Sequence, residues 1–127
     1  MDLHRSGEDY LETMLILEQK KGWIRSSDVA RYLKVSRASV SYAVRFLRDG
    51  GFLTMDDDRL LCFTDLGRQV AEAVYERHCI LREALLLLGA DPEIAEQDAC
   101  LIEHDISDHT LDKLKLFLEK QKDSGEQ

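Results

Sequence analysis

Residues 26–49 read SSDVARYLKVSRASVSYAVRFLRD, and the fold follows from how that stretch divides. Apolar Val29, Ala30 and Leu33 recur at helical spacing in its first part, and Val40, Val44 and Leu47 in its second. Lys34-Val35-Ser36 between them forms a tight turn, so two short helices meet over one apolar seam. Ser26 or Ser27 is placed to cap the first helix. The second runs from Arg37 to about Asp49, where Gly50-Gly51 ends it.

Beyond it, Phe52-Leu53-Thr54-Met55 and Leu60-Leu61-Cys62-Phe63 flank Asp56-Asp57-Asp58-Arg59, the pattern of a hairpin. Upstream, Ser6-Gly7-Glu8-Asp9 resembles a capping box. Tyr10, Met14 and Leu17, flanked by Leu11 and Leu15, then carry a helical stripe to about Lys21. Two short helices, a turn between them and a following hairpin make a winged helix-turn-helix. In that fold the second helix lies in the major groove, which places Arg37, Ala38, Ser39, Ser41 and Tyr42 towards base edges. Arg25, Ser26, Ser27, Arg45 and Arg48 are candidate backbone contacts, and Arg59 at the hairpin tip is a candidate for the minor groove.

Thr64 or Asp65 caps a long fourth helix to about Leu88, with Leu66, Val70, Val74, His78, Leu81, Leu85 and Leu88 as its stripe. Leu85 to Leu88 exceed what one buried face needs, which fits a second covered surface between two copies of the chain. Asp91-Pro92 opens a fifth helix expected to continue through His104, and Ser107 caps a sixth carrying Leu111, Leu114 and Leu118. Lys122–Gln127 is a polar tail expected to fray. On a continuous fifth helix Cys100, Glu103 and His104 share one face, so a thiolate, a carboxylate and an imidazole converge on one ion.

The chain has 127 residues, 44% of them hydrophobic, and a net charge of −8. The charge is uneven. Residues 22–68 hold 8 Lys/Arg against 6 Asp/Glu, whereas residues 69–127 hold 6 against 14. Only the middle segment therefore faces phosphates without repulsion, and bound divalent cations would offset the acidic remainder. Cys62, Cys79 and Cys100 are odd in number and scattered, which argues for a reducing cytoplasm over a disulfide framework. No stretch is apolar enough to cross a bilayer, and the first residues are no signal peptide.

Several segments together resemble the diphtheria-toxin-repressor family of metal-dependent transcriptional regulators, in particular its short manganese-transport-regulator branch. They are Glu8-Asp9-Tyr10-Leu11-Glu12, Val35-Ser36-Arg37-Ala38-Ser39-Val40-Ser41, Phe63-Thr64-Asp65-Leu66-Gly67, Arg77-His78 and Glu103-His104. The resemblance implies a mainly α chain: a winged helix-turn-helix DNA-binding domain over 1–68, then an α-helical dimerisation and metal-binding domain over 69–127. Longer members add an SH3-like domain, and this sequence is expected to stop before one.

Carried over by position, the implied ligands are Asp9, Glu12, His78, Glu103 and His104, with Cys100 at a place that holds Glu in manganese sensors and Cys in iron sensors. Arg82 stands where iron sensors often carry an acidic ligand, which leaves one or two ions per chain. Singly, each has an ordinary reading, such as a cap for Asp9 or a core imidazole for His78. Together they match one pattern. The implied effector is Fe²⁺ or Mn²⁺, with Zn²⁺ or Co²⁺ binding in vitro, since a thiolate shifts preference away from purely carboxylate-loving ions. The expected function is a homodimeric repressor of metal-homeostasis genes that binds an inverted-repeat operator in double-stranded DNA, and not an enzyme. The alternative is a winged-helix regulator indifferent to metal.

Overall fold

The computed structural model describes residues 5–125, leaving out the side chains of the last two. The element order is α1 (Arg5–Lys21), α2 (Ser26–Leu33), α3 (Arg37–Asp49), β1 (Leu53–Met55), β2 (Leu61–Phe63), α4 (Asp65–Leu87), α5 (Pro92–Ile102) and α6 (Asp108–Gly125). These form two compact units, Met1–Ala73 and Val74–Gln127, and α4 begins in the first and ends in the second.

In the first unit, α1 packs on α2 and α3, and α3 on β1. Val29, Val40, Val44, Leu47, Phe52, Leu53 and Leu61 are buried, so the two apolar seams of residues 26–49 meet in one core as expected. The turn between α2 and α3 closes through Lys34 in the left-handed region (φ 58°). Ser36 then caps α3, its Oγ accepting from Ser39 N at 3.1 Å.

Helix starts are where expectation and structure part. Residue 25, not Ser26 or Ser27, is the N-cap of α2, and no side chain caps it. The backbone explains this: Ile24 O accepts from Leu61 N at 2.9 Å, which binds the incoming segment to β2 and sets where the helix begins. Ser6 lies inside α1, which already includes Arg5, so it does not cap that helix.

β1 and β2 are antiparallel, with Leu53 opposite Phe63, Thr54 opposite Cys62 and Met55 opposite Leu61. Asp56 Oδ1 accepts from Asp58 N and Leu60 N, both at 2.9 Å, and Arg59 takes φ 63° to complete the turn. Thr64 caps α4: its Oγ1 accepts from Gly67 N at 3.1 Å while its hydroxyl donates to Gly51 O at 2.6 Å. A Cβ on Gly67 would stand 1.9 Å from Phe52 O, so only glycine allows this approach.

In the second unit the buried apolar residues are Val74, Ile80, Leu81, Ala95, Ala99 and Leu118. Asp91 caps α5 and Ser107 Oγ accepts from Thr110 N at the start of α6. Ion pairs tie α6 to α4: Arg77 to Asp108 at 2.7 Å and Lys115 to Glu76 at 2.8 Å. Two positions of the expected α4 stripe are exposed, Leu66 (46%) and Leu88 (82%). Leu66 sits in the helix's first turn, and Leu88 lies just past its end. Leu86, Leu87, Ile94, Leu101, Ile102, Leu116 and Phe117 are also exposed, an apolar surface larger than a lone unit needs to show water. The expected tail from Lys122 instead continues α6 to Gly125, and its last two residues lie outside the described residues.

Candidate metal centre and nucleic-acid face

α3 has one buried stripe, so its other positions face solvent. Arg37, Ala38, Ser39, Ser41, Tyr42, Arg45 and Arg48 are all exposed, Tyr42 at 74%. The two sides of this ridge differ. Ser26, Ser41, Arg45 and Arg48 line one concavity with Leu53, Thr54 and Met55 of β1, which suits a phosphate backbone. Ala38, Ser39 and Tyr42 border an apolar hollow on the other side, with Tyr10 and Phe46. Ser39 is partly engaged, since its Oγ accepts from the Ser36 hydroxyl at 2.9 Å. Arg25 and Ser27 are exposed at the start of α2 and Arg59 at the hairpin turn; none of these three lines either hollow.

The second unit gathers metal-ligand chemistry around His78. This residue is 4% exposed on α4, and each ring nitrogen faces acceptors from α5 or its end. Nδ1 lies 3.0 Å from Glu103 Oε2 and 3.7 Å from Cys100 Sγ. Nε2 lies 2.7 Å from Glu96 Oε1. His78, Cys100 and Glu103 each offer one ligand atom within 4.8 Å of the others. His104 Nε2 is 3.5 Å from Glu103 Oε1.

α5 ends at Ile102, with Glu103 as its C-cap and His104 in the turn beyond, so the expectation of one helix face through His104 is corrected. Glu103 itself keeps right-handed helical angles (φ −57°, ψ −24°), and the backbone tightens beyond it, where Asp105 N bonds back to Ile102 O at 2.9 Å. The convergence survives, but it is built by a helix end.

Glu103 is 1% exposed. A carboxylate so buried costs several kcal/mol unless cations or donors surround it. Oε2 has His78, whereas Oε1 makes no hydrogen bond among the described residues. An anionic oxygen left in this condition beside a thiol and two imidazoles fits a cation's donor set. His78 itself holds a proton in this state. Cys100 first, then Glu103, raise its pKa from 6.5 to about 11 against the opposing effect of burial. In metal-free protein the imidazolium therefore supplies the positive charge beside Glu103.

Asp9 and Glu12 belong to α1 in the first unit, three residues apart and so on one helix face. Asp9 is half-buried and Glu12 is buried. Glu96 was not foreseen as part of the site. Its signal is available in the sequence: it precedes Cys100 by four residues on α5, hence on the same face.

Comparison with known proteins decides the family. Residues 2–61 match the family described as iron dependent repressor, N-terminal DNA binding domain, and residues 64–125 match its metal binding and dimerisation domain. This chain belongs to the iron-dependent repressor family.

Among its relatives, the transcriptional regulator MntR of Escherichia coli O6:H1 is 37% identical over 113 residues, covering 89% of this chain and 73% of that protein. A solved structure of the manganese regulator SloR aligns with TM-score 0.79 and 25% identity over 94% of this chain. A manganese-dependent transcriptional repressor complexed with manganese aligns with TM-score 0.80 and 25% identity over 89%. This chain spans 55% and 52% of those two structures' own chains. The family's winged-helix and helical dimerisation architecture is that expected from the sequence. No helix among the described residues is long and apolar enough to cross a membrane.

Proposed function

We propose that this chain is a homodimeric, metal-activated transcriptional repressor that binds operator DNA through α3 when a divalent transition ion is present. The observation carrying this reading is the convergence of His78 Nδ1, Cys100 Sγ and Glu103 Oε2 in the segment matching a metal-binding and dimerisation domain. His78, Cys100, Glu103 and His104 would hold the ion, with Asp9 and Glu12 of α1 as the further proposed ligands; one or two ions per chain fit this set. When bound, the ion supplies positive charge that offsets these carboxylates and the thiolate.

The chain's own groups do the rest. To hold an ion, His78 would release its Nδ1 proton to solvent and offer that nitrogen's electron pair, and the buried Glu103 carboxylate would serve as a ligand. Ligands drawn from α1 as well as α4 and α5 link ion binding to the DNA-binding segment, so the ion favours a binding-competent arrangement already accessible to the protein. Carboxylates and imidazoles suit Mn²⁺ or Fe²⁺, and the Cys100 sulfur tilts the choice to Fe²⁺.

On the reading head, Arg37, Ala38, Ser39, Ser41 and Tyr42 meet base edges. Arg25, Ser26, Ser27, Arg45, Arg48 and Arg59 meet the sugar-phosphate backbone or the minor groove. We take 1–68 as the functional reading head and 69–127 as the dimerising sensor, regulating metal-homeostasis genes in the cytoplasm without catalysis. The test is operator affinity of wild type and a Glu103→Ala, His104→Ala double variant, each with metal and with chelator. The proposal expects metal-dependent tightening in wild type only. Equal affinity in all four conditions favours a regulator indifferent to metal.

A further inference from the structure

The ring of His78 has two edges, and only one of them faces the converging ligands. Nδ1 looks towards Cys100 and Glu103. Nε2 looks the other way, to Glu96 Oε1 at 2.7 Å, and Glu96 Oε2 is in turn 3.5 Å from Arg82 Nη1. Arg82 lies one turn after His78 on α4, while Glu96 comes across from α5. An ionised carboxylate only accepts, so Nε2 must carry hydrogen and donate to it. Glu103 Oε2 makes the same demand of Nδ1 in metal-free protein, so both nitrogens carry hydrogen there; when one is lost, the shorter contact to Glu96 keeps the hydrogen on Nε2 and leaves the electron pair on Nδ1, beside the sulfur and Glu103.

We propose that Glu96 is a positioning residue for the metal centre: it fixes the tautomer and ring orientation of His78, and Arg82 orients Glu96. This rests on the reading of His78 as a ligand and adds a residue outside the ligand set. Two features favour it over an incidental surface ion pair. The Nε2 contact is short and its imidazole side chain is only 5% exposed, so the ring has little other choice of acceptor. Arg82 is separated from Glu96 by a longer contact, so the carboxylate is held more firmly by the histidine than by the arginine.

A partner of this kind raises ligand basicity and restricts the ring, and its loss typically weakens metal affinity about 10- to 100-fold. Glu96 is also half-exposed at its side chain (49%), so removing it leaves the core intact.

The experiment measures Zn²⁺ and Co²⁺ affinity by chelator competition for the full chain and its variants, together with ¹⁵N NMR of the His78 ring in the zinc-loaded protein. The expected result is a loss of about 10- to 100-fold in Glu96→Ala, a smaller loss in Glu96→Gln, which keeps an oxygen acceptor, and none in Glu93→Gln, an exposed acid in the same helix. Nδ1 should bear the metal and Nε2 a slowly exchanging hydrogen that exchanges rapidly in Glu96→Ala. If Glu96→Ala binds as wild type while His78→Ala binds far more weakly, or if zinc sits on Nε2, the positioning role is wrong and the metal reading stands. If His78→Ala also binds as wild type, the metal reading itself falls, and this inference with it.

Discussion

Glu103 Oε2 stands 3.0 Å from His78 Nδ1, a contact between residues 25 apart in the chain that ties the end of α5 to the middle of α4. It pairs a buried carboxylate with a buried imidazolium, and the other carboxylate oxygen has no hydrogen-bond partner among the described residues. The imidazolium proton balances the carboxylate in metal-free protein, and a metal ion that displaced this proton would restore that balance and give Oε1 a partner.

Metal should therefore stabilise the fold measurably. With free ion at about 1,000 times its dissociation constant, linkage gives about 4 kcal/mol. Thermal unfolding of wild type should shift upward with Mn²⁺ or Co²⁺ and return with chelator. In Glu103→Gln, which keeps the shape but not the charge, the shift should shrink to within error.

The His78 pKa sets the sign of two pH effects. Its folded value of about 11 lies above the unfolded 6.5, so in metal-free protein its contribution to stability is complete below about pH 6.5 and is lost as pH rises towards 11. Metal must displace that proton, so affinity should rise with pH, about tenfold per unit, across the same window. Chelator competition at a series of pH values, paired with calorimetry in buffers of different ionisation enthalpy, reads this. An affinity independent of pH, with no proton released, contradicts it.

On the reading head, Arg45 and Arg48 line a concavity with Ser26 and Ser41, whereas Arg37 opens the exposed ridge of α3. Replacing Arg45 or Arg48 with Ala should weaken all DNA sequences alike and lower the salt slope by about 1 each. Replacing Arg37 should cost about 1–3 kcal/mol at one operator position and relax specificity there. Binding of a mutated-operator panel at several salt concentrations separates the two behaviours.

Gly67 tests the junction between hairpin and α4. A methyl group there would collide with Phe52 O at 1.9 Å, and backbone cannot give way as a side-chain tip can. Gly67→Ala should destabilise the chain by about 1–3 kcal/mol, the usual cost of overpacking. A denaturant midpoint equal to wild type would show the approach to be looser than described.

Much of this was legible from residues alone. α3 begins at Arg37 and ends at Asp49 as the apolar spacing, Ser36 and the Gly50-Gly51 pair require. The end of α5 was not legible, because Ile102-Glu103-His104-Asp105 contains no glycine or proline to mark it, and the backbone tightens there through a bond from Asp105 N to Ile102 O. The start of α2 escaped for a like reason, set by a backbone bond from Leu61 to Ile24 and not by either serine. Glu96 carried only one local signal, its spacing of four residues from Cys100, which gives its helix face but not the histidine 18 residues earlier that it reaches.

The most direct test of the whole account is operator binding by wild-type protein titrated with Fe²⁺, Mn²⁺ and Zn²⁺ against a chelator control at fixed salt. Tightening of at least tenfold with metal, reversed by chelation and absent in His78→Ala, is the predicted result. Operator affinity that chelation leaves unchanged would contradict it.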